Sequence, residues 1–242
     1  MSNLKNPAYS FVKREFYIDK TPCVIYNEGL KKCFLTVHGQ GGNKEEAERF
    51  SRVAVKYGYC VLSLDLPMHG GRRDGVEFLP WAAVPEIKKV YAYAAENYET
   101  VALRATSIGA YFSLIALYGE TVERCLLSSP LIDMRAMISS LMAAANVDIK
   151  MLEKEKIIPT PFGQTLNYDY YLFANKTPVL SVSDKTFILY ASGDEVIPRN
   201  TVETFAQKNG AKLTVLDGFR HYLHSPEEIK YMEKWENESI AF

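Results

Sequence analysis

Six short apolar runs decide what this chain can fold into: "KCFLTVHG" at 32–39, "CVLSLDLP" at 60–67, "TVALRATS" at 100–107, "RCLLSSP" at 124–130, "KTFILYAS" at 185–192 and "KLTVLDGF" at 212–219. They lack the in–out alternation of a half-exposed strand and read as strands covered on both faces. Helical patterns separate them. Asn43, with Glu46 three residues on, reads as a capping box before a helix that carries Ala47, Phe50, Ala54 and Tyr57 on one face and ends at Gly58. Pro85 suits the first turn of a helix bearing Ile87, Val90, Tyr91, Ala94 and Tyr98. "IGAYFSLIALYG" is apolar on all sides and reads as a buried helix. Further helices are expected from about Pro198 to Lys208 and after the cap formed by Ser225, Pro226 and Glu228. Strands alternating with helices imply parallel pairing through right-handed crossovers. "REFYIDK" and "PCVIYNE", ahead of them, read as an antiparallel hairpin. The expectation is therefore an α/β fold with a mostly parallel central sheet and helices on both faces. With no internal repeat or linker, residues 1–242 read as a single domain.

The segment 131–182 is the exception. It shows no clear strand, its Met134, Met137, Ile138, Leu141 and Met142 recur at helical spacing, and an aromatic- and turn-rich stretch follows. A long insertion between two core strands reads as a short helical, lid-like element. It is expected to supply an apolar substrate pocket, with Met134, Met137 and Tyr171 as contacts.

Composition removes several function classes. Hydrophobic residues make up 48% of the 242, which allows a large buried core. A formal net charge of −1 provides no basic field for nucleic acid or anionic lipid. No apolar run approaches the roughly 18 residues of a membrane span. The amino-terminal stretch shows no apolar leader segment. Cys23, Cys33, Cys60 and Cys125 lie in or beside strand-like runs, at spacings that fit neither a zinc site nor a redox pair. They read as reduced buried thiols. A cytoplasmic protein without metal or cofactor is expected.

The chemistry centres on "LRATSIGAYF" at 103–112. A strand that turns sharply into a helix lifts the side chain of Ser107 above the sheet edge and aims the free N–H groups of the helix start beside it. Close strand–helix approach demands small residues two positions before and after, and Ala105 and Gly109 meet that. A nucleophilic serine needs a base, and the base needs an orienting acid. Four histidines are available. His38 and His69 follow the first two parallel strands, while His221 and His224 follow the last. Asp194 follows "FILYASG", giving the chain order Ser107, Asp194, His221. His224 remains open as the base, and Asp133 or Glu195 as the acid. His221 and His224 as a metal pair would lack further ligands.

The stretches "VHGQGG", "LDLPMHGGR", "ATSIGA", "ASGDEVIP" and "GFRHYLHSPEE" together resemble the α/β-hydrolase superfamily over nearly the whole chain, in its serine esterase and lipase-like branch. Met68 replaces a glycine usual in the second stretch. The resemblance implies Ser107 as nucleophile, Asp194 as acid, His221 as base, and the backbone N–H groups of Gln40 and Ile108 as an oxyanion hole. His38 and Gly39 would shape that loop. The implied activity is hydrolysis of a small or medium carboxylic ester; thioesters, small peptides and aminoacyl bonds use the same parts.

Three other readings compete. A non-catalytic hydrolase fold used for binding is one. "FLTVHGQGGNKEEA" with Asp65 mimics a dinucleotide-binding unit, although Lys44 stands where the third glycine belongs. His69, Arg72 and Arg73 share a loop that could reach the site mouth and hold an acidic group. Arg104 is assigned no role.

Overall fold

A computed structural model describes residues 12–177 and 179–242. The first eleven residues, over most of the stretch read for a leader, lie outside the described part. In chain order the elements are β1 (Lys13–Ile18), β2 (Thr21–Tyr26), β3 (Lys32–Val37), α1 (Ala47–Ala54), β4 (Tyr59–Leu64), α2 (Pro80–Asn97), β5 (Thr100–Thr106), α3 (Ile108–Ala116) and β6 (Cys125–Ser128). The insertion follows with α4 (Met134–Ala144), α5 (Ile149–Glu155), β7 (Ile157–Pro159), β8 (Thr165–Asn167) and α6 (Tyr168–Lys176). The chain then closes with β9 (Thr186–Ala191), α7 (Arg199–Asn209), β10 (Lys212–Leu216) and α8 (Pro226–Ala241).

Among the described residues, eight strands form one sheet in the order β1-β2-β4-β3-β5-β6-β9-β10. The β1–β2 and β2–β4 pairs are antiparallel and the other five are parallel. Helices cover both faces. α1 and α8 pack Phe50, Val53, Met232 and Trp235 against Val24, Phe34 and Leu126. α2, α3 and α7 cover the opposite face, where Leu35, Leu103, Leu127 and Ile188 meet Ile87, Tyr111, Phe112 and Val202. The insertion joins this second face through Met134, Ile138, Met142, Leu152 and Leu166. All four cysteines are buried free thiols. Among the described residues, no helix is long and apolar enough to cross a membrane.

Three local expectations need correction. α2 begins at Pro80, so Pro85 stands inside it rather than in its first turn. The single backbone bond that Pro85 forfeits is to the carbonyl of Trp81, a residue on the exposed side. Asn43 caps a short 3-10 turn and its side chain accepts from the Glu45 N–H, one position earlier than a capping box requires. The insertion does contain strands: β7 and β8 pair antiparallel from Ile157↔Asn167 to Pro159↔Thr165. With three residues each and only Leu166 buried, they are too short to show alternation. The final helix carries the full capping box of Ser225 and Glu228.

α3 crosses close to β3 at one point. A Cβ on Gly109 would stand 2.2 Å from the carbonyl oxygen of His38. Glycine costs an ordinary helix interior about 1 kcal/mol relative to alanine, so elsewhere Gly109→Ala would stabilise. Here the sign reverses. The variant is expected to lose about 3 kcal/mol or more, read as a lower denaturation midpoint in guanidinium chloride; a midpoint at or above that of the parent protein would refute the close approach.

Candidate active site

The sheet order reverses between β3 and β5. From β3 the chain moves outward to β4, and from β5 it moves the other way through β6, β9 and β10. The loop after β3 leads to α1 on one face and the turn after β5 to α3 on the other, which opens a crevice at the carboxyl ends of the strands. Ser107 stands there.

Ser107 has φ 50° and ψ −123°, a positive φ rare for a side-chain-bearing residue and worth about 1–3 kcal/mol of strain. The surroundings over-determine it. Its N–H donates to the Ser128 carbonyl at 3.0 Å, and its own carbonyl accepts from Ala110 N at 3.0 Å and Leu131 N at 3.1 Å. Oγ lies 2.9 Å from Nε2 of His221, and Nδ1 of His221 lies 2.7 Å from Oδ2 of Asp194. Nδ1–H facing the carboxylate leaves the Nε2 lone pair for the serine hydroxyl. The other Asp194 oxygen accepts the N–H groups of Val196 and Ile197, both at 2.8 Å. The Asp194 side chain is wholly buried and that of His221 nearly so. The two loops are tied: Gly193 N–H donates to Phe219 O at 2.9 Å, Gly218 N–H to Ser192 Oγ at 2.9 Å, and Ser129 Oγ to His221 O at 3.1 Å.

His38 and Gly39 shape the neighbouring loop. Nδ1–H of His38 donates to Gly39 O at 2.7 Å, and Nε2 accepts the Leu66 N–H at 3.1 Å. Burial pulls its pKa down to about 4, so the ring is neutral. A Cβ on Gly39 would stand 3.3 Å from that of Ser107. The backbone N–H groups of Gln40 and Ile108 have no partner among the described residues. Ala105 is fully buried on the α2–α3 face.

The other candidates lie elsewhere or are committed. Nδ1 of His224 faces Tyr222 O and its backbone N–H donates to Glu228. Asp133 caps α4 by accepting from Ala136 N at 2.9 Å, and Glu195 is exposed. Asp65 accepts from Lys44 N, Lys44 Nζ and Gly71 N, so it is not free for a ribose hydroxyl. Arg72 is buried against Glu86, Asp74 and the Asp65 carbonyl, and Arg73 turns back onto Gly70 O and Arg72 O. The pair presents no acid-binding fork at the site, because the Arg72 charge is met by Asp74 and by Glu86 of α2, and neither arginine lines the cavity beside Ser107. His69 packs between His38 and Phe78. Among the described residues, no cluster suits a metal ion.

A cavity of about 360 Å³ opens beside Ser107 and His221, lined by Gln40, Arg49, Arg104, Thr106, His224 and Met232 among others. Met134, Met137 and Tyr171 do not line it. They pack on the α2–α3 side, whereas the cavity lies on the α1–α8 side. Its floor holds a cluster that the sequence reading missed. The fully buried Glu236 accepts from Arg49 Nη1 and Nη2 at 2.7 and 2.6 Å, and from Arg104 Nε at 2.8 Å. Burial pushes the Glu236 carboxyl up, but the two guanidinium groups outweigh it and hold the pKa below its ordinary value. One signal was available: an arginine inside the apolar run "TVALRATS" must be buried with a partner.

Solved structures share this architecture. Est1E from Butyrivibrio proteoclasticus, with ferulic acid bound, superposes with a TM-score of 0.71 at 16% identity, covering 94% of this chain and 98% of that one. Mouse alpha/beta hydrolase domain-containing protein 10 gives 0.71 at 14% identity, covering 95% and 98%. An esterase from Pyrococcus furiosus gives 0.65 at 16%, covering 100% and 94%. The chain has the α/β-hydrolase fold. No protein-family model and no curated protein sequence matches it. Within this fold the β5–α3 turn is the sharp strand-to-helix elbow, and the loops after β9 and β10 carry Asp194 and His221 to it.

His38 makes a pH prediction. Its folded pKa of about 4 lies below the ordinary 6.5. Between those values the unfolded chain takes up a proton that the folded ring refuses. Stability is therefore full above pH 6.5 and falls as pH drops toward 4, by on the order of 3 kcal/mol from this group. Urea unfolding at pH 7 and pH 4.5 should show a smaller difference in His38→Gln than in the parent; equal differences would count against a buried neutral ring.

Proposed function

We propose that the protein is a serine hydrolase that cleaves a small or medium carboxylic ester through an acyl-enzyme. The observation that carries this reading is the continuous chain from Ser107 Oγ to His221 Nε2 and from His221 Nδ1 to Asp194, at 2.9 and 2.7 Å. The structural similarity to an esterase from Pyrococcus furiosus supports the ester class.

In this reading His221 takes the Ser107 proton as Oγ attacks the ester carbonyl. The developing oxyanion is held by the unpartnered N–H groups of Gln40 and Ile108, each worth about 3–4 kcal/mol in comparable sites. Asp194 fixes the histidine tautomer and stabilises the imidazolium. His221 returns the proton to the departing alcohol, then activates a water that releases the acid and restores Ser107. The strained elbow keeps Oγ in reach without a reorganisation cost at the moment of attack. The 131–182 segment acts as a cap over the α2–α3 side of the site; Trp81 at the start of α2 contacts Tyr170 of α6.

A fluorophosphonate probe should label the folded protein at Ser107, and Ser107→Ala should abolish labelling. On p-nitrophenyl esters of graded chain length, Asp194→Asn is expected to lower kcat about 10³- to 10⁴-fold while leaving the fold intact. A folded protein that resists the probe and hydrolyses none of the esters would instead support a non-catalytic binding role.

A further inference from the structure

We propose that the cavity beside Ser107 binds a carboxylate, so that the preferred substrate is an ester carrying a second, ionised carboxyl group, and that Arg104 selects it. The inference deepens the hydrolase reading and rests on it.

The argument begins with a count of buried charges. Glu236 carries one negative charge and faces two guanidinium groups. Arg49 engages it with both terminal nitrogens, and Arg104 adds only Nε. Glu236 thus accepts three hydrogen bonds, and set against this one buried acid the two guanidinium groups leave a surplus positive charge. The remaining acids do not cancel it in kind. Glu233 lies 3.7 Å from Arg49 with 41% of its side chain exposed, so water screens it. Glu46 lines the same cavity as an acid facing Arg104, partly exposed and with burial pushing its carboxyl up, so its negative charge is held less firmly than that of Glu236. Arg104 is only 12% exposed. A largely buried charge that shares its one buried counter-ion with a second cation is costly.

Arg104 also has donors to spare. Among the described residues Nη1 hydrogen-bonds only Thr106 Oγ1, at 3.4 Å, and Nη2 only the thioether of Met232, at 3.5 Å, while the guanidinium carbon stands 5.2 Å from the Phe50 ring centroid. The two terminal nitrogens hold four N–H groups between them and together form the flat edge that a carboxylate meets bidentately. Both contacts in place are weak ones, and the residue lines the cavity. The location follows from the strand: on β5, Leu103 and Ala105 face the α2–α3 side, so Arg104 and Thr106 face the cavity. Thr106 precedes Ser107, so a carbonyl at Oγ and a carboxylate at the guanidinium fit opposite ends of one short chain. A purely hydrocarbon chain in the same place would strip water from the guanidinium and return no hydrogen bond.

The test compares monoethyl adipate with diethyl adipate. The parent protein should favour the half-ester at least about 10-fold in kcat/KM. Arg104→Met, which leaves Glu236 its bidentate Arg49 partner, should lower kcat/KM on the half-ester about 100-fold and on the diester less than about 3-fold. Arg104→Lys keeps the charge without the fork; it should lose about 10-fold on the half-ester alone, and it carries the test if Arg104→Met fails to fold. Equal treatment of both esters by the parent, or equal losses on both in the variants, makes Arg104 a purely structural tie and overturns the proposal. Two measurements separate that failure from failure of the hydrolase reading. Fluorophosphonate labelling of Ser107 reports on the hydrolase alone. Calorimetric titration of monoethyl adipate into Ser107→Ala reports on the anion site alone: binding should weaken at least about 10-fold when Arg104→Met is added, and no binding to Ser107→Ala refutes the site whether or not Ser107 is reactive.

Discussion

The site depends on one close contact, between Gly109 at the start of α3 and the carbonyl of His38 at the end of β3. That approach draws the β5–α3 turn against the loop after β3. It places the Ile108 and Gln40 N–H groups, one from each, beside the same serine. Gly39 lies close to Ser107 as well: a Cβ added to it would stand 3.3 Å from that of Ser107. The positive φ of Ser107 is the consequence, and it persists because Ser128 O and Leu131 N hold the turn from the β6 side. His38 anchors the other wall through Leu66 N. The position of Ser107 is therefore set largely by backbone packing, while side chains such as Asp194 and Ser129 hold His221 against it.

The same contact explains why Ala105 is accepted where such turns commonly carry glycine. The two small positions are not equivalent. Ala105 points into the α2–α3 core, where its methyl is fully buried among apolar neighbours. Gly109 points at backbone, where a methyl has no space. A pattern that treats both positions alike overstates the first and understates the second.

Much of this was legible in the sequence because it rests on local signals. Continuous apolar runs gave the parallel strands and their order along the chain. Ser225, Pro226 and Glu228 marked the start of α8. Asp194 and His221 were found because each directly follows a strand-like run, and a parallel sheet carries all such points to one edge. What was not legible depends on tertiary distance. Pro85 inside α2 and the three-residue strands β7 and β8 are set by packing rather than propensity. The Met134 and Met137 stripe signalled a buried helix face, but period alone cannot say which buried surface it meets. Glu236 pairs with Arg104 across 132 residues, and an acid inside an amphipathic helix carries no mark of such a partner.

Buried charges elsewhere in the fold are closed accounts of donors and acceptors. Arg72 is matched by Glu86 and Asp74, Lys44 by Asp65 and Glu45, and Arg124 by Glu123 and the last carbonyls of α8. The Arg49–Glu236–Arg104 cluster differs in both count and place. It has two cations to one buried anion, and it faces an open cavity next to Ser107. Its position on β5 matters as much as its charge. A guanidinium fixed to the strand that leads directly into Ser107 keeps its spacing from that residue whatever the 131–182 segment does, because side chains on sheet strands are held more exactingly than those on loops. Selection by charge would then be built into the rigid sheet, and control of access left to the insertion on the opposite side.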